Sequence, residues 1–178
     1  MINWFSRRFG DGTPASTFAA DLFIDFVLTG ENRATKAALE HYDKPYGKFE
    51  SDAFRRKTFV YLAASVSLAL SKKQRRTNVA AVVQHFRHLT TGSMLSQWGM
   101  STSCANEQVM MAGDSLQSLC FSPLNSDFAF SVDWSRGWLS EVGVDETNPV
   151  SLFKVAQDWK NTMLFLLQHI DQEKIAVG

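Results

Sequence analysis

From Thr58 to Leu70 the chain runs thirteen residues without a formal charge, short of the roughly 18 that read as a bilayer span. A helix so apolar has to be covered on most of its sides by the rest of the chain. Phe54, Phe59, Leu62, Val66 and Leu70 give it bulk, while Ala63, Ala64, Ser65, Ser67 and Ala69 let other backbones approach closely. The expected element runs from a cap at Ser51 or Asp52 to about Ser71 and lies at the centre of the fold.

The neighbouring segments also carry helical spacing. Thr13 and Pro14 form a cap and first-turn pair, opening a helix to about Thr29. Its stripe is Phe18, Leu22, Phe23, Phe26 and Val27, and Gly30 is expected to close it in a left-handed conformation. A short helix over 32–41 and a turn-rich connection over 42–47, with Pro45 and Gly47, should follow. After the basic join at 71–76, Val79, Val82, Val83, Phe86 and Leu89 mark a helix to about Thr90, paired with the central one as an antiparallel hairpin.

Further on, the pattern weakens. Residues 88–106 hold no formal charge with His taken as neutral, and part of this segment reads as a long loop or lid. A helix should cover 103–120 and break at Pro123. Over 128–134, Phe128, Phe130, Val132 and Trp134 alternate with smaller or polar residues, the period of a strand; a helix through Phe128, Val132, Leu139 and Val142 competes with it. Asn148 and Pro149 repeat the cap signal and open a last helix to about Glu173, apolar around much of its circumference.

The expectation is therefore an all-α, irregular single-domain bundle of six to seven helices, with 128–134 left open between a minor β element and helix. Residues 1–12 form an amphipathic N-terminal segment, and 13–178 the helical domain. Two cysteines without C-x-x-C spacing, and an N-terminus without a signal-peptide pattern, point to free thiols and the cytoplasm. Eighteen basic and eighteen acidic residues balance overall. Cut in half they do not: 1–89 hold fourteen basic against eight acidic, plus 6, and 90–178 hold four against ten, minus 6. The halves either attract each other or each present a one-signed face to a partner. The neutral total argues against nucleic acid.

No motif for catalysis, nucleotide binding or metal ligation stands out, so no catalytic residue, metal or cofactor is assigned. His85 and His88 share a helix face, but two ligands do not make a metal site. Cys104 sits near a helix start, where a thiol is activated, but an enzyme built on it would also need a positioned histidine. Lys72, Lys73, Arg75 and Arg76 form a basic turn suited to an acidic partner, or simply solvated charge at a helix end. Residues 1–9 resemble an interfacial membrane segment, but they are too short to bind firmly alone, and docking on the domain or a neighbouring subunit is favoured.

The expected function is that of a non-enzymatic, bacterial-type helical protein that binds another protein as regulator, adaptor or neutralising partner. The partner would offer an acidic or apolar face, and Val155, Leu164 and Phe165 on the last helix would mediate self-association. The alternative is a sensor or carrier of a small hydrophobic ligand, with Met94, Trp98 and Met100 bordering the cavity. An enzyme using Cys104 or the histidine pair comes third.

Overall fold

The computed structural model describes residues 14–46, 51–72 and 79–172, which fold into six helical rods with no strand among them. The first rod comprises α1 (Pro14–Leu22), a π-helical segment (Phe23–Leu28) and α2 (Thr29–Tyr46). It does not stop at Gly30, because Leu22 and Thr29 on either side of the π segment keep right-handed helical dihedrals. Among the described glycines only Gly99 and Gly143 have positive φ. Gly30 serves close approach instead, since a Cβ there would lie 3.1 Å from Leu62 Cδ1. The expected separate helix over 32–41 and the start of the turn at 42–47 are thus part of one continuous rod.

The central element is α3 (Ser51–Lys72), where it was expected. Phe59, Ala63, Val66, Ala69 and Leu70 are wholly buried, and α3 packs against α2, the π segment, α4, α5 and α7. Phe59 lies edge-on between Phe23 of the π segment, at 6.0 Å, and Trp98, at 5.1 Å. The basic and acidic halves therefore pack on each other, and a Lys57–Glu141 ion pair crosses between them.

The charge-free stretch after His88 is not a long loop. Helix α4 (Val79–Trp98) runs through it, and only Gly99–Ser101 separate it from α5 (Thr102–Phe121). Hydroxyl side chains do not interrupt a helix when they bond back to the preceding turn. Thr90 donates to Phe86 O at 2.9 Å and Thr91 to Arg87 O at 3.0 Å. Gly99, with φ +64°, ends the helix, and the Ser101 side chain caps α5 by accepting from the Cys104 N–H.

Residues 128–134 are helical as well, so the β reading is overturned. In α6 (Phe128–Ser140) the Asp127 side chain accepts from Phe130 N–H at 2.9 Å. Ser131, Val132, Ser135, Trp138 and Leu139 form the buried stripe, a spacing of one, four, seven and eight that only a helix puts on one side. Phe128, which the alternation would turn inward, is half-exposed, and no described strand exists for this segment to pair with. Asn148 Oδ1 accepts from Val150 N–H and opens α7 (Pro149–Gln172), whose Leu152, Ala156, Met163, Leu166 and Ile170 are buried. No described helix is long and apolar enough to cross a membrane. Residues 1–12 lie outside the described residues.

Candidate binding groove

Small residues on α2 leave a gap that α7 does not close. Gly30, Ala34 and Ala37 follow one another at three- to four-residue spacing, with Ala38 beside them, so this wall is low. The opposite wall is α7, with Val155 half-buried and Phe165 57% exposed. Leu62 of α3 and Trp138 and Leu139 of α6 form the floor. The result is an open groove of about 1130 Å³.

One end is closed by aromatic rings. Phe26, presented by the π segment, meets Phe165 at 5.7 Å and His169 at 5.2 Å, and His169 stacks on Phe165. From Phe26 the α2 wall runs to His41, roughly 20 Å along the rod. The rim carries Asp25 and Arg33 on one side and Lys154 and Asp158 on the other, all exposed. None of these four charges has an ion-pair partner among the described residues.

Behind the floor, an aromatic cluster fixes α6 and α7 against α3. The Tyr61 ring touches Trp134, Trp138 and Trp159. Its hydroxyl donates to Ser115 Oγ at 3.2 Å, which also accepts from Trp134 Nε1 at 2.9 Å. Burial raises the Tyr61 pKa, with the Ser115 hydrogen bond opposing it. Lys57 lies over the Trp138 and Tyr61 rings. Burial lowers its pKa despite the bond to Glu141.

Of the residues singled out from sequence, the groove gathers Val155 and Phe165 but not Leu164. One residue advances a helix by about 100°, so Leu164, also 57% exposed, lies on the other flank of α7. Lys72 is at the far end of α3, its ammonium 4.7 Å from the Phe121 ring centroid; Lys73, Arg75 and Arg76 lie outside the described residues. Met94 and Met100 are buried in the core beside the partly buried Trp98, and none of the three borders this groove. The segment that carries them is helix and a three-residue link, so the expected lid is absent there.

His85 and His88 are exposed on α4, and no group of three or more metal-ligating side chains occurs among the described residues. Cys104 is half-buried, with Gln108 Nε2 at 3.8 Å from its sulfur. Cys120 is held as a thiol, because burial pushes its pKa up to about 11 against the pull of Lys160. Alkylation by iodoacetamide requires the thiolate. Labelling of Cys120, followed by mass spectrometry, is therefore expected to be negligible at pH 7.5 and to rise about tenfold per pH unit toward pH 11. A raised thiol pKa also removes stability as pH climbs from the unfolded value toward about 11. Rapid labelling at pH 7.5 would contradict this burial.

Comparison with protein-family models, curated proteins and solved structures finds no match for this chain. The fold and groove define an all-α bundle with an open, apolar-floored cleft between its first and last rods.

Proposed function

We propose that the chain is a non-enzymatic binding protein, an adaptor, regulator or neutralising partner, whose groove takes one amphipathic helix of another protein. The carrying observation is the groove's shape. At about 1130 Å³ it exceeds the roughly 300–1,000 Å³ of ordinary ligand cavities, which also bury most of their ligand. A trough roughly 20 Å long and open along one side instead matches about four turns of helix. The unpaired rim charges of both signs suit the polar flanks of such a helix. Cytoplasmic location and bacterial origin belong to the same reading.

The test compares affinity capture from the native source by the wild-type chain, Val155→Asp, Phe165→Asp and Lys72→Glu. The two groove variants are expected to lose the same captured protein by tenfold or more, while Lys72→Glu keeps it. Loss with Lys72→Glu and retention with Phe165→Asp would transfer the binding face to the basic turn.

Self-association is the second reading, favoured by the other flank of α7. There the Phe128 and Phe153 rings meet at 4.9 Å with a 34° tilt, and Leu164 and Val150 are exposed. Sedimentation at micromolar concentration should give a dimer that Leu164→Asp dissociates; a monomeric wild type overturns it.

A further inference from the structure

The sequence ahead of the first rod has a pattern of its own. Ile2, Phe5 and Phe9 recur at helical spacing with Trp4 beside them, Arg7 and Arg8 fall on the other side, and no carboxylate interrupts residues 1–9. An apolar stripe of this kind needs a surface to cover it. Nine helical residues are about 13 Å long, inside the roughly 20 Å of the α2 wall. Gly10, Asp11, Gly12 and Thr13, a turn-type sequence, tie them to the rod.

Reach brings this segment to the aromatic end of the groove. Pro14 opens the first rod and Phe26 lies twelve residues on, about 18 Å along it. The five steps from Phe9 to Pro14 span up to about 18 Å when extended. Phe9 therefore arrives at the rings of Phe26, Phe165 and His169, and the residues before it run on into the cleft.

The charges agree with that direction of entry. Asp25 flanks the aromatic end, one residue before Phe26. Asp158 stands on the opposite wall, seven residues or roughly 10 Å from Phe165, at about the depth of Arg33; Lys154 lies deeper, at roughly 16 Å. The mouth beside the rings thus offers a carboxylate first. Asp25 and Asp158 are exposed and have no ion-pair partner among the described residues. Arg7 and Arg8 follow Ile2, Trp4 and Phe5 in the sequence, which sets the two cations at the mouth when the apolar residues lie inside.

On the reading that a partner helix enters this groove, we infer that residues 1–9 occupy it in the partner's absence, as an intramolecular competitor. The apolar stripe covers Leu62, Trp138 and Leu139, and Arg7 and Arg8 pair with Asp25 and Asp158. Tethering offsets the shortness of the segment. A short linker supplies an effective concentration of about 1 mM, so an intrinsic Kd of about 0.1 mM leaves the segment about 90% seated. A partner then binds about tenfold more weakly than it would to the vacant groove.

Photocross-linking in the full-length protein tests the seat. With Phe5→benzoylphenylalanine, irradiation at low micromolar concentration should give a product of monomer mass, in which mass spectrometry joins residue 5 to segments 29–38 or 154–165. Adding Arg7→Glu and Arg8→Glu should cut that yield to about a third, and Asp25→Lys should restore part of it. Cross-links to any other face, products joining two chains, or an unchanged yield in the charge variant overturn the inference. Arg7→Glu/Arg8→Glu with Phe5 intact should also raise capture of the protein taken from the native source by roughly five- to tenfold; unchanged capture overturns the competitor role. Capture lost in Phe165→Asp with cross-links outside the groove overturns the seat and keeps the partner reading. Groove cross-links with capture indifferent to Phe165→Asp do the reverse.

Discussion

Replacing Phe59 with alanine is expected to remove about 3–5 kcal/mol of stability, the range for truncating a fully buried aromatic. Phe59 has no exposed surface and sits at the crossing of three elements. Its ring is edge-on to Phe23 of the π segment and to Trp98 at the end of α4. The wide and rigid rings around it cannot collapse into the space left behind, so the cavity cost adds to the lost transfer energy. With a urea slope of about 2 kcal/mol/M, the unfolding midpoint should fall by roughly 2 M. A loss below about 1 kcal/mol would mean that α3 is not the centre on which the other helices pack.

The second large effect is electrostatic. Glu31 is only 2% exposed, and its carboxylate meets Arg55 Nε at 2.7 Å; Arg55 reaches on to Gln97, so one guanidinium ties α2, α3 and α4 together. Arg55→Met leaves Glu31 with the Thr35 hydroxyl at 3.4 Å as its remaining partner. Stranding a buried carboxylate costs about 3–5 kcal/mol. Because Arg55 is 43% exposed, water enters as it leaves, and about 2–3 kcal/mol is expected here. The double variant Glu31→Leu/Arg55→Met should recover at least half of that, since it removes the stranded charge. A double variant no better than Arg55→Met would show that lost packing of the arginine stem is the cause.

What could be read from the chain without coordinates follows from where local signals were unopposed. The small-residue run in α3 and the Asn148–Pro149 start of α7 have one physical solution each, and both elements fall where expected. Segment 88–98 reads as a loop, and segment 128–134 stays divided between strand and helix, for a shared reason. Ser, Thr and Gly speak for loops, and alternation speaks for strands, only when nothing else satisfies the backbone. Here the Thr90 and Thr91 back-bonds and the Asp127 cap provide that satisfaction.

The groove was half legible. A last helix with more apolar surface than one core stripe uses did announce an uncovered side, and Val155 and Phe165 lie on it. Its other wall was hidden, because Gly30 was read as a helix end rather than as the first of four small residues along a continuing rod.

The π segment has a further consequence for the first rod. A rod with a strict 3.6-residue period keeps one angular phase from end to end, yet this rod answers to two neighbours, α4 along α1 and α3 along α2. The six residues Phe23–Leu28 act as a phase shifter between those two engagements. They let Leu22 stay buried in the core while Gly30 meets Leu62. Winding those six residues as ordinary α-helix with none removed would swing everything beyond them by about 100°, one residue's worth of rotation. Gly30 and the alanines after it would then face away from the bundle, and the cleft would lose a wall without any change to its floor.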